Sequence, residues 1–225
     1  MAWSDWIRTA EVEPSLYAAD FSQLGDQIRL LLDAGARVFH YDIGDGHFVP
    51  PITMGPIVLE SISEQIHRGG GAVDCHLMTE FPERHLEALA AAGADSVTVH
   101  HEACDDPAAV LAVARQHGLQ AGLAFKPGTA LDDAERAADG FDLVLCMSVE
   151  PGYSGQDFIP GALDRLRLLR RSLPEGVQLQ VDGGIGRDNV RKAREAGANL
   201  LVAATAIFGA EDVAGAYRRL AEAVS

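Results

Sequence analysis

Eight short apolar runs recur along this chain, and a stretch of helical period separates each from the next. That alternation constrains the fold more than any other feature. The runs lie at 14–18, 38–43, 72–78, 96–100, 120–125, 143–149, 179–182 and 200–205. Most are rich in Val, Leu or Ile and have the length of strands buried on both faces. Between them, LGDQIRLLLDAG, PERHLEALAAAG, PAAVLAVARQHG and RDNVRKAREAG repeat apolar residues three and four apart. Each of these ends at a glycine suited to a helix C-cap. The segments DAGARVFHYDI, AAGADSVTVHH and EAGANLLVAAT share one plan, with Gly35, Gly93 and Gly197 at equivalent places. One βα unit is therefore reused. Strict alternation implies parallel strands joined by right-handed crossovers. Eight units in 225 residues predict an α/β protein with a single closed (β/α)8 TIM barrel. We read residues 1–225 as one domain, with 1–13 as a loosely held N-terminal extension.

The formal net charge of −15 argues against nucleic acid or an anionic membrane surface as a partner. It does not exclude a small anion, because backbone N–H groups and a metal act locally. Cys75, Cys104 and Cys146 are odd in number and widely spaced, which fits reduced thiols in a cytoplasmic protein. No signal peptide is evident, and no apolar run has the length of a membrane span. No GxGxxG follows the first strand, which weakens a dinucleotide-binding reading, and no organic cofactor is expected.

Barrel sites lie at the C-terminal ends of the strands. Polar residues cluster there: Ser15 in the first run, His40 and Asp42 in the second, His76 in the third, His100 in the fourth and Asp182 in the seventh. His40 and Asp42 are two apart and share a strand face. With His76 and Asp182 they form a ligand set suited to one divalent ion such as Zn, Fe, Mn or Co. Buried carboxylates this close together would be costly without a cation. His47, His67, His85 and His117 fall on expected loops or helix surfaces. Glycine-rich segments follow the later strands: PGYSGQ from Pro151, DGGIG from Asp182 and AATAIFG from Ala203. Gly183 and Gly184, with Ala204 and Thr205, sit where such barrels cradle phosphate.

The stretches PSLYAADF, HYDIGDGHFVPPITMGP, CHLMTEFPE, AGADSVTVHHEA, MSVEPGYSGQDFIP, VDGGI and VAATAIFG together resemble the ribulose-phosphate 3-epimerase family. The resemblance implies a metal-dependent isomerase that interconverts D-ribulose 5-phosphate and D-xylulose 5-phosphate in pentose metabolism. It implies a two-base proton transfer through a metal-stabilised enediolate, with Asp42 and Asp182 as acid and base. It also implies metal ligation by His40, Asp42, His76 and Asp182, and a hydrogen bond from Ser15 near the reacting oxygens. The grips on the sugar phosphate would be Gly152, Tyr153, Ser154, Gly155, Gly183, Gly184, Ala204 and Thr205, beside His76 and Asp182. Relatives of this kind form dimers or hexamers, so a homo-oligomer is expected.

Four departures bear on specificity. Gly44 replaces a methionine, whereas Met78 and Met147 keep the other two methionine positions. Lys126 stands before Pro127, Glu150 before Pro151, and Ala204–Thr205 where Gly-Ser is usual. Gly44 is expected to open space, which raises a hexulose 6-phosphate such as allulose 6-phosphate as an alternative substrate. Lys126 and Glu150 could pair with each other. Sugar-phosphate decarboxylases carry Asp-x-Lys-x-x-Asp on strand 3. This chain has Asp74-Cys75-His76 there, which counts against that class. A non-catalytic barrel would have little reason to keep all four candidate ligands.

Overall fold

The computed structural model describes residues 3–225. Its strands are β1 (Glu11–Pro14), β2 (Val38–Gly44), β3 (Ala72–Met78), β4 (Ser96–His100), β5 (Gln120–Phe125), β6 (Leu143–Met147), β7 (Gln178–Asp182) and β8 (Leu200–Ala203). All pair in parallel, in the order β1-β8-β7-β6-β5-β4-β3-β2. One bridge between Ser15 and His40 closes the ring. The helices are α1 (Trp3–Trp6), α2 (Leu24–Asp33), α3 (Pro56–Arg68), α4 (Leu86–Ala91), α5 (Pro107–Gln116), α6 (Leu131–Ala137), α7 (Ala162–Ser172), α8 (Val190–Glu195), α9 (Thr205–Phe208) and α10 (Val213–Val224). This is the (β/α)8 barrel that the alternation predicts. Gly35, Gly93 and Gly197 all carry positive φ, the left-handed turn that stops a helix and releases the next strand. None of the described helices is long and apolar enough to cross a membrane.

Alternation along each strand sorts side chains into two cores. Phe39, Tyr41 and Ile43 face outward and pack with helix residues such as Ile28, Leu59 and Ile66. Inside the barrel, Val38, Ala72, Leu143 and Leu200 begin their strands, and Ala124 and Leu145 join the same apolar cluster farther along theirs. Polar groups share this interior: Glu13, Asp74, Thr98 and Gln180 are fully buried. Gln180 Nε2 donates to both Glu13 and Asp74, tying β7 to β1 and β3 across the barrel.

Two expectations are corrected. The first strand is Glu11–Pro14, three residues earlier than the run at 14–18, and Leu16–Ala18 forms a short 3-10 turn. The Ser15 N–H still donates to Ala203 O at 3.0 Å, so the chain turns only once it has reached the rim. Residues 3–13 are not a loose extension; Met1 and Ala2 lie outside the described residues. Trp3 and Trp6 are buried, with ring centroids 5.0 Å apart, and join the inner apolar cluster. Arg37 clamps them by donating to the Trp6 and Asp5 carbonyls at 2.9 and 3.2 Å. The physical reason is that the lower barrel exposes apolar side chains that need a plug.

Candidate active site

β2 and β3 run in register, Asp42 opposite His76, so both side chains emerge at the same height. His40 lies one inward position below Asp42. Asp182 ends β7, across the barrel. His40 Nε2 and His76 Nδ1 are 3.3 Å apart. Asp42 Oδ1 lies 3.2 Å from the first and 3.0 Å from the second. Asp182 Oδ2 is 4.0 Å from His76 Nδ1. One donor atom from each of the four residues falls within 4.8 Å of all the others. Four ligands at zinc-type bond lengths of 2.0–2.2 Å around a tetrahedral ion sit about 3.3–3.6 Å apart. The residues present therefore fit such an ion in both spacing and chemistry. Ser15 Oγ donates to Asp42 Oδ2 at 2.6 Å, fixing the carboxylate from the position just after β1.

The two carboxylates differ electrostatically. Burial pushes Asp42 up, but His40 and His76 outweigh it and hold the acid well below the usual carboxylate range. Asp182 is pushed up to about 6 by burial and by the nearby Asp42 charge. Behind the cluster, His40 Nδ1 faces Asp74 Oδ2 at 3.3 Å and Glu13 Oε2 at 3.7 Å. His76 Nε2 meets His100 Nε2 at 2.9 Å, and His100 Nδ1 meets Glu102 Oε2 at 3.3 Å. Burial pulls His100 down to about 4.

A cleft opens above this floor. Ser15, Asp42, Met78, Met147, Glu150 and Asp182 line it, together with Gly152, Tyr153, Ser154 and Gly155. Gly183, Gly184, Ala204 and Thr205 line its other end. Gly184 has φ +62, and a Cβ there would lie 2.5 Å from Phe158 N, so the β7 loop packs directly on the β6 loop. Ala204 caps the four-residue α9, the short extra helix that follows β8.

Several specificity expectations change. Gly44 does not open space and does not line the cleft. Its Cβ position is already occupied, 2.7 Å from Pro51 O and 3.0 Å from Val49 Cγ2. The loop that follows β2 folds back over it, held by Thr53 N–H donating to Gly44 O at 3.1 Å. Lys126 and Glu150 do not pair. Lys126 Nζ sits 4.1 Å from the Phe48 ring centroid, a cation–π contact outside the cleft. His67 is not simply solvated, because its Nε2 meets Asp95 Oδ2 at 2.8 Å. Tyr17 and Val149 also line the cleft, and neither belongs to the residues the sequence marks as candidates. Tyr17 sits two residues after Ser15, a spacing that could have drawn attention to it.

Fold and site together define a (β/α)8-barrel enzyme with a His2Asp2 cluster under a glycine-rich cleft at the strands' C-terminal ends. A sequence model of the Ribulose-phosphate 3 epimerase family matches residues 11–208. The ribulose-phosphate 3-epimerase of Candida glabrata is 38% identical, over 89% of this chain and 87% of its own. That of Escherichia coli is 40% identical, over 89% of this chain and 90% of its own. The crystal structure of 3-hexulose-6-phosphate synthase from Salmonella typhimurium superposes with a TM-score of 0.75 at 19% identity, covering 95% of this chain and 98% of that one. That last likeness concerns the fold alone. The chain belongs to the ribulose-phosphate 3-epimerase family.

Proposed function

We propose that this protein interconverts D-ribulose 5-phosphate and D-xylulose 5-phosphate by moving a proton at carbon 3. One observation carries the reading. Asp42 and Asp182 rise from strands on opposite sides of the barrel and meet His40 and His76 at the floor of one cleft. Inverting a carbon next to a carbonyl requires a proton to leave one face and another to arrive on the opposite face. Two carboxylates flanking the substrate can do this, one as base and one as acid, exchanging roles between directions. The intermediate between the two steps is an enediolate.

A divalent cation held by His40, Asp42, His76 and Asp182 would supply Lewis-acid stabilisation of the charge that develops on the substrate oxygens. Ser15 holds Asp42 in one orientation through its 2.6 Å hydrogen bond. Met78, Met147 and Val149 give the cleft an apolar wall that keeps water from the carbanionic carbon. The backbone at 183–184 and 204–205 supports a phosphate grip at the far end, with α9 adding its amino end. The three cysteines are free thiols, in keeping with a reducing, cytoplasmic setting.

The test is ribulose 5-phosphate in D2O, with NMR following the carbon 3 proton. Metal-loaded protein should wash in deuterium, and a chelator should stop it. Asp42→Asn and Asp182→Asn should each lower the exchange by at least about 1000-fold. A folded, metal-loaded sample that exchanges nothing would refute the assignment.

A further inference from the structure

Behind the cluster, β4 and the turn after β5 supply a chain of polar groups that no step above uses. His100 is fully buried at the end of β4. Its Nε2 lies 2.9 Å from His76 Nε2, and its Nδ1 lies 3.3 Å from Glu102 Oε2. The other Glu102 oxygen, Oε1, accepts the Lys126 N–H at 2.9 Å and the Thr129 hydroxyl. Phe48 covers His100, with ring centroids 4.9 Å apart.

Proton counting along this chain starts from Glu102, whose second oxygen faces a neutral His100 ring. An ionised carboxylate only accepts, so His100 must carry its proton on Nδ1. The His100 Nε2 lone pair then accepts, so His76 must carry a proton on Nε2. With Nε2–H committed to His100, a proton that His76 Nδ1 offers to Asp42 Oδ1, 3.0 Å away, is the one a cation would displace, and Nδ1 is the nitrogen left to ligate it. We propose that Glu102 and His100 are positioning residues that fix the tautomer of His76 and so keep its Nδ1 available as a ligand. The functional consequence rests on the metal-dependent reading above; the tautomer of His100 does not.

Glu102→Gln separates this role from packing, because the two side chains are nearly isosteric. The glutamine oxygen is the only atom that can keep accepting from Lys126 N–H and Thr129. Its NH2 group then faces His100 Nδ1 and donates to it. The His100 proton moves to Nε2, and the His76 proton is driven to Nδ1, which blocks the ligand. Glu102→Asp keeps a carboxylate and should restore most of the effect.

Two measurements decide the matter. Long-range 1H–15N correlation spectra of the metal-free protein report which ring nitrogen of His100 is protonated. We expect Nδ1 in the wild type and Nε2 in Glu102→Gln. Zinc affinity, read by competition with a chromogenic chelator, should fall about 10–100-fold in Glu102→Gln. It should recover most of that loss in Glu102→Asp. An Nε2–H tautomer of His100 in the wild type overturns the proposal. So does a folded Glu102→Gln protein that binds zinc like the wild type. A wild type that binds no zinc while His100 keeps its Nδ1 proton would count against the metal-dependent function instead, and would leave the assigned tautomer standing.

Discussion

Gly44→Ala is the substitution on which sequence and structure disagree most. From sequence, Gly44 is a vacancy where a larger side chain once shielded the substrate. In the structure the vacancy is filled from above. A Cβ would stand 2.7 Å from the Pro51 carbonyl oxygen, 3.0 Å from Val49 Cγ2 and 3.3 Å from Thr53 Cγ2. Relaxed carbon–oxygen contacts begin near about 3.3 Å. The loop over 45–53 must therefore recede by about 0.6 Å, and its backbone oxygen cannot rotate aside as a side chain could. Overpacking of this kind costs about 1–3 kcal/mol. For a chain of this size each kcal/mol lowers Tm by about 2–4 °C, so we expect a fall of about 2–12 °C by circular dichroism. The same loop seats Val49 3.3 Å from the Cβ position of Gly152, on the cleft wall, so KM should rise with the loss of stability. Gly128→Ala, where an added Cβ meets nothing within 4 Å, is the control. A Gly44→Ala protein that melts within about 1 °C of the wild type would refute the reasoning and return the vacancy.

Further outcomes follow from other contacts. Ser15→Ala removes a buried hydrogen bond to a charged acceptor, worth about 1.5–3 kcal/mol, and should lower kcat/KM by about 10–100-fold in a coupled epimerase assay. Gly184→Ala places a Cβ 2.5 Å from Phe158 N and 2.7 Å from Gln156 O, at φ +62. It should raise KM for the sugar phosphate by at least about tenfold as the two glycine loops part. Burial pushes Glu102 up, but His100, Thr129 and the Lys126 N–H outweigh it and lower the acid from 4.5 to about 2. Its native state is thus less ready to bind a proton than the unfolded chain. The stability it gives is complete above about pH 5 and is lost as pH falls towards 2. With its side chain 22% exposed, solvent screening leaves about 2 kcal/mol. Acid titration of urea stability should be flatter in Glu102→Gln over that window, and an unchanged slope would refute the attribution.

The sequence by itself determined the architecture and the floor of the site. Strand and helix periods depend on neighbours a few residues apart, so β3, β4 and β5 match their apolar runs residue for residue. His40, Asp42, His76 and Asp182 were legible because a barrel turns the last residues of every strand toward one place. Register and closure were not legible. β1 begins three residues earlier than its apolar run because pairing with β8, from the far end of the chain, selects Glu11–Pro14. Glu13 and Gln180 meet although 167 positions separate them, and nothing local in either strand foretells the other. The His76–His100–Glu102 chain and the loop packed on Gly44 are of the same kind. Each depends on which side chains stand opposite one another across the ring or fold back over the rim. Only the closed barrel decides that, because local periodicity fixes which face a residue presents and says nothing of what it meets there.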